Sequence, residues 1–365
     1  MLPDKLTPIE SLVPERRPLS RPVKLSARER LILRSIIHNY ILSATPLGSR
    51  RLARRYKVGL SPATIRNTMA DLEEMGLLSH PHTSAGRVPT DLGYRLYVDD
   101  LMKVEQLSDD VRRTIAEQLE PPPPEVSELL QEVSEILSQV TRLLAVILEP
   151  DISNVTLQKI ELVRVATGRV MVVVVVSSGL VRTILMEIAS EITDEEIASA
   201  TQFINQRLAG LRLVEIKRTI GARLSGAPAA RNAIVRLFVD FPERIFQTES
   251  GQDVHLGGAK YVLELPEYAH PQQLKGIIEL VDDQDIIVHL MKDRQPGVSV
   301  TIGEENRGEV FKDLSVITST YRMGDAHGTL GIIGPTRMNY SRLVALVDYT
   351  AKLVSEKAGA MEGLS

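Results

Sequence analysis

From Ser26 onward the apolar positions recur with helical spacing. Leu33, Ile36, Ile37, Tyr40 and Ile41 fall at i, i+3, i+4, i+7 and i+8, one stripe on a helix of about four turns. Ser26 suits its N-cap, and the Thr45-Pro46 break stops it near Ser43. A second helix, about Ser49 to Tyr56, buries Leu52, Ala53 and Tyr56 and turns Arg50, Arg51, Arg54 and Arg55 outward. Gly59 supplies the positive φ of a tight turn. Ser61-Pro62 then opens a third helix, with serine as N-cap and proline at the first helical position. In that helix Ile65, Met69 and Leu72 share a core-facing side, Ala63, Asn67 and Ala70 point away, and Thr64 and Arg66 flank. Beyond Gly76 the period changes. Leu77 to His80 and Arg87 to Pro89 read as short strands around a polar turn, Pro81 to Gly86.

After Met102 the chain crosses Pro121 to Pro124, a stiff spacer. Val126, Val133, Val140 and Ile147 then repeat at seven; Leu129, Ile136 and Leu143 follow by three, and Leu130, Leu137 and Leu144 by four. This face predicts a helix laid on the following sheet, a coiled coil being the alternative. Strands are expected at Leu157–Val165, Val170–Val176 and Leu180–Glu187, and a helix from Thr193 to near Gly210. A helix at about Pro271–Leu280 and strands at Val298–Ile302, Leu314–Tyr321 and Thr329–Gly334 resume the same sheet, and a last helix covers Tyr340–Ser355. The less regular stretch 211–268, with its Gly-Ala-rich Gly221 to Ala230, suits an inserted subdomain. The fold class is therefore α+β and multidomain: residues 1–23 a disordered extension, 24–102 a head, 103–210 and 269–365 a two-segment body, and 211–268 the insert.

Charge changes the picture of the head. Between Lys24 and Ala70 ten basic residues face one acid, Glu29, so this stretch carries +9 and the rest −13 within a net charge of −4. A basic block on an acidic body suggests a polyanion-binding head on a regulatory module. Three helices followed by a hairpin make a winged helix-turn-helix. The third helix has the right outer face for a major groove: small Ala63, with Arg66 able to bridge guanine and Asn67 adenine. Base readers are expected at Thr64, Arg66 and Asn67 with Ser61 and Ala63 also at the DNA, phosphate contacts at Arg50, Arg51, Arg54 and Arg55, and wing contacts at His82, Thr83, Ser84 and Arg87.

The remaining chemistry is sparse. The chain has no cysteine and no tryptophan, which excludes disulfides, thiol nucleophiles and Cys-based zinc sites. No P-loop, dinucleotide fingerprint or H-E-x-x-H occurs, so no enzyme and no cofactor is expected. His80-x-His82 lacks a third ligand, and Asp282, Asp283 and Asp285 lack the spacing of a calcium loop, so no metal is expected either. Gly328, Gly331 and Gly334 suit close backbone approach around a strand more than a phosphate cradle. Arg337 and Tyr340 could line a ligand pocket, or equally form an ion pair and a packed ring. The longest apolar run, Val170 to Val176, is too short for a membrane, and the first 23 residues lack the apolar core of a signal peptide. A cytoplasmic protein is expected.

Three segments carry a family resemblance. Ser61 to Glu73, Thr83 to Thr90 and Gly93-Tyr94-Arg95-Leu96-Tyr97-Val98 are similar to the heat-inducible transcription repressor HrcA family. Ile302-Gly303-Glu304-Glu305-Asn306 and Gly331 to Tyr340 resemble that family's second signature, and the likeness spans roughly residues 24 to 355. The resemblance implies a dimeric repressor of chaperone operons on an inverted-repeat operator (the CIRCE element). It also implies a GAF-like domain with a dimerisation insert, and activity maintained by the GroE chaperonin. Two other readings stay open at this level: the same head on a GAF-like body that senses a small molecule, and an enzyme with an incidental basic patch.

Overall fold

In the computed structural model, residues 23–362 are described apart from 57–58, 82–85, 122, 124, 178–180, 189–191, 226–231, 247–253, 269–270, 292–296, 307 and 309–310. The extension assigned to 1–23 therefore lies almost wholly outside the described residues. Among those described, no helix is long and apolar enough to cross a membrane.

The head follows the expected order. Helix α1 (Ala27–Ser43) starts in a reciprocal capping box between Ser26 and Glu29, and α2 (Ser49–Tyr56) and α3 (Pro62–Glu74) follow. Strands β1 (Leu78–Ser79) and β2 (Val88–Pro89) pair antiparallel. Leu47, just before α2, bridges Arg87 through two 3.1 Å backbone hydrogen bonds and adds a third rung to the hairpin. Gly86 is required beside it, because a Cβ there would meet the Leu47 carbonyl carbon at 2.3 Å. The chain continues through α4 (Asp91–Leu96), a π-helical turn over Tyr97–Leu101, and α5 (Asp109–Glu117).

The body begins with α6 (Val126–Thr141) and β3 (Leu144–Asp151). The sevenfold apolar pattern runs on to Ile147, but the helix ends at Arg142 in the left-handed conformation, φ 57°. Leu143 to Ile147 stay apolar for another reason: Ala145 and Ile147 face one side of the sheet and Leu144, Val146 and Leu148 the other, both buried. A strand covered on both faces satisfies any apolar period.

Next come β4 (Leu157–Ala166), β5 (Arg169–Val176) and β6 (Val181–Glu187), then α7 (Asp194–Leu208), α8 (Leu213–Leu224), α9 (Ala233–Asp240) and α10 (Pro242–Ile245). Strand β7 (Val254–Gly257), α11 (Ala259–Val262), a 3-10 turn at Pro266–Tyr268, α12 (Pro271–Asp282), α13 (Gln284–Met291) and β8 (Val298–Ile302) lead to a second 3-10 turn, Gly303–Glu305. Strands β9 (Leu314–Met323) and β10 (Ala326–Pro335) and helix α14 (Tyr340–Glu362) complete the chain.

The strands form two larger sheets rather than one. The first has the order β7-β3-β10-β9-β8, all antiparallel; the second is β4-β5-β6. This corrects the boundary of the insert. A separate core running from Val155 to Phe246 joins β4–β6 to α7–α10, so the inserted unit leaves after β3 and returns at β7, instead of occupying 211–268. Strand pattern alone does not reveal which sheet a strand joins, and the change of composition at 211 only marks the start of α8.

On the five-stranded sheet, α6 and α14 cover one face and α11–α13 the other. The first of these cores is continuous with the head, from Ile32 in α1 to Ala358 in α14. Glycines allow the close packing. A Cβ on Gly331 would meet the Ile317 carbonyl oxygen at 2.3 Å, and one on Gly328 the Tyr321 ring. Gly257 is held as tightly, because a Cβ there would lie 2.3 Å from the Ser134 carbonyl oxygen of α6. Gly257→Ala must push α6 off the edge strand, with an expected cost of about 1–3 kcal/mol in urea unfolding of the full chain. A neutral result would mean that α6 does not seat against this strand.

Candidate nucleic-acid interface

The head's outward face is built from α2 and α3. Leu52, Ile65, Met69 and Leu72 are buried and Thr68 joins them, its hydroxyl donating 3.1 Å to the Thr64 carbonyl. The opposite sides of both helices are then forced outward: Arg50, Arg51, Arg54, Ala63, Arg66 and Asn67 are exposed. Ser61 caps α3, its hydroxyl accepting from the Thr64 N–H at 3.1 Å and lying 2.9 Å from the half-buried Thr64 hydroxyl. Ser61 and Thr64 thus hold the helix start, and Arg66 and Asn67 stand clear of it. Gly59 adopts φ 71° in the turn before.

Two of the candidate arginines, the exposed Arg55 and the half-buried Arg87, are engaged within the fold. Arg55 donates from Nη1 to the Asn39 Oδ1 of α1 at 2.9 Å, so it ties α2 to α1. Arg87 pairs with Glu73 at 2.7 Å, and the other Glu73 oxygen takes His80 Nδ1. Glu73 of α3 therefore fastens both strands of the hairpin. Sequence pattern assigns Glu73 no role; one of three acids near the end of a helix carries no long-range signal. His82, Thr83 and Ser84 lie outside the described residues.

The two resemblance segments at opposite ends of the chain meet under the head. Arg95, 2% exposed, donates from Nε to Glu305 Oε1 at 2.7 Å, from Nη2 to the Val300 carbonyl at 2.7 Å, and from Nη1 to Asp99 at 3.2 Å, with a further contact to Glu305 Oε2. Burial works against its charge, but the hydrogen bonds and charges of Glu305 and Asp99 hold its pKa above the ordinary arginine value. Asp91 accepts from the Glu304 N–H at 3.2 Å, and Gly303, at φ 54°, has no room for a side chain beside that carboxylate. From the loop after β10, Arg337 pairs with Glu267 through Nε and donates from Nη1 to the Ile41 carbonyl of α1 at 2.7 Å. The Tyr340 ring sits 5.7 Å from that of Tyr94, and its hydroxyl donates to the Thr336 carbonyl while accepting from Ser315. Of the two uses left open for Arg337 and Tyr340, the ion pair and the packed ring are the ones formed.

Comparison with known proteins agrees with this make-up. The family model for the HrcA protein C-terminal domain matches residues 127–344. The heat-inducible transcription repressor HrcA of Chlorobium phaeobacteroides (strain BS1) is 38% identical over 91% of this chain and 97% of its own. That of Chlorobaculum parvum is 40% identical over 91% and 97%. A crystal structure of a hypothetical protein aligns with a TM-score of 0.61 at 22% identity, covering 93% of this chain and 100% of that one, a likeness of fold. The chain is thus a transcription repressor and not an enzyme. It belongs to the HrcA family, the heat-inducible repressors.

Removing Glu73 isolates its part. Glu73→Ala leaves Arg87 and His80 without their shared partner, with an expected loss of about 1 kcal/mol for this quarter-exposed pair. Trypsin should cut after Arg87 sooner in the variant; unchanged cleavage would mean that the Leu47 rungs alone hold the hairpin.

Proposed function

We propose that this repressor acts on heat-shock chaperone operons, binding an inverted-repeat operator (the CIRCE element) as a homodimer in the cytoplasm, with the GroE chaperonin maintaining its activity. The head is read as a winged helix-turn-helix and α3 as its recognition helix. The observation that carries this is the single outward face on which Ala63, Arg66 and Asn67 lie beside Arg50, Arg51 and Arg54. Small and hydrogen-bonding residues let a helix approach base edges, and the flanking cations suit the phosphates. Arg87 and Arg55 brace the domain in this reading, and Ser61 and Thr64 fix the start of the reading helix.

The body is read as GAF-like. Counting its own strands in chain order, the sheet runs 2-1-5-4-3 with helices on both faces, which supports that reading. A small-molecule sensor draws less support, because side chains from the helices fill both faces of the sheet.

The dimer contact is assigned to the insert. The alternative, α6, already spends its stripe on the chain's own core, with Leu129, Leu130, Val133 and Leu137 buried there. The second sheet buries one face on α7–α10 and leaves the other open. Val163, Met171 and Leu185 stand directly across the three strands, and Val175 and Val181 pair four residues along. Val163, Val181 and Leu185 are between 43% and 59% exposed. An open apolar sheet face of this kind fits a twofold contact with its own copy.

Selection from random-sequence DNA followed by footprinting tests the whole reading. An inverted repeat is expected, with half-sites on one face of the duplex about 34 Å apart or a multiple of it. An asymmetric site would refute the dimeric reader. Arg66→Ala and Asn67→Ala should each relax preference at particular base pairs by about 1–3 kcal/mol, whereas Arg54→Ala should weaken all sequences alike and lower the salt slope by about one. Val173→Arg, at the centre of the open face, should yield a monomer by light scattering and bind the repeat no better than a half-site. A variant that stays dimeric would move the contact elsewhere.

A further inference from the structure

Helix α1 has no basic residue in its own last turn. Its C-terminal carbonyls are a negative dipole end that ordinarily attracts such a charge. The charge arrives from the body instead: Arg337 donates 2.7 Å to the Ile41 carbonyl and is itself held by Glu267 of the 3-10 turn. From α4, Arg95 makes the reciprocal connection, donating to the Val300 carbonyl of β8 and pairing with Glu305. Two head helices are thus joined to three body segments by directional bonds, with the Tyr94–Tyr340 ring contact between them. Apolar packing alone lets surfaces slide; a planar guanidinium shared between a carboxylate and a backbone carbonyl accepts one orientation. Neither arginine belongs to the outward face of α2 and α3.

We propose that Arg337, with Arg95, is a positioning residue that fixes the angle of each head on its body and thereby sets which half-site spacing the dimer accepts. The inference rests on the dimeric, inverted-repeat reading above. Each inserted base pair swings one half-site about 34° around the duplex axis. A rigid dimer pays for that rotation in full, and one with loosened heads follows it.

The test uses the full chain and duplexes carrying the selected half-sites at the preferred spacing and at one and two base pairs shorter or longer, with a single half-site as reference. Wild type should lose about thirtyfold or more in affinity at the wrong spacings, which is roughly 2 kcal/mol. Arg337→Gln should narrow that ratio to about threefold and leave single half-site affinity unchanged, with Arg337→Lys restoring part of the discrimination. Glu267→Gln, which frees Arg337 without removing its charge, should shift the ratio the same way if the first variant folds poorly. A purely structural role would lower affinity for every duplex alike and keep the ratio. A folded Arg337→Gln that retains wild-type discrimination overturns this inference alone. A wild type indifferent to spacing overturns it together with the dimeric reading.

Discussion

The guanidinium of Arg95 is the constraint around which the molecule is arranged. It is 2% exposed inside a core shared by head and body, where an unpaired charge is costly. Each nitrogen of the group is therefore answered: Glu305 across two of them, Asp99 one turn on, and the Val300 carbonyl. The answers dictate local structure in turn. Glu305 reaches Arg95 because β8 ends in a 3-10 turn, and that turn needs Gly303 at φ 54° with Asp91 pressed against it. Removing one partner from such a buried group typically costs about 3–5 kcal/mol, whereas the intact pair adds little stability over an apolar substitute. What the pair supplies is a single relative placement of head and body.

A division of labour among the head's cations follows. Those with a carboxylate or carbonyl inside the fold serve the frame: Arg55 on Asn39, Arg87 on Glu73, Arg95 on Glu305. Those on the outer sides of α2 and α3 are left to solvent. The acidic residue late in α3 belongs to the same scheme, since Glu73 keeps its charge turned to the hairpin.

The head was legible in the sequence nearly residue by residue, because it is built from local rules. Ser26 and Ser61 are N-caps, Gly59 takes a positive φ, and the stripes of α1 and α3 are buried save for the half-buried Tyr40 and Ile41. The body was legible as elements but not as an assembly. Strands β4–β6 and β8–β10 fell near their expected positions, yet nothing in an alternating pattern states its partner, and two sheets were read as one. Strand β3 was hidden in the continuation of the α6 repeat, and β7 in a stretch expected to be irregular. For the same reason the two terminal signatures were recognised separately while their meeting, Arg95 on Glu305, was not; a contact between residues 210 positions apart leaves no trace in spacing.

The position of the insert explains how a contact made there can bear on the head. It departs after β3 and returns at β7, which are paired neighbours, so closing that long excursion costs no sheet pairing. Its core reaches Ala326 at the start of β10, and Ser177 donates to Asp325 in the β9–β10 turn at 3.2 Å. Strand β9 pairs along β8, and β8 presents the Val300 carbonyl that Arg95 holds. Among the described residues, the open face of the insert connects to the proposed reading face of α3 through paired strands, a buried ion pair and a packed helix. In the proposed dimer, the twofold axis at the insert and the direction of each reading helix are accordingly parts of one rigid geometry.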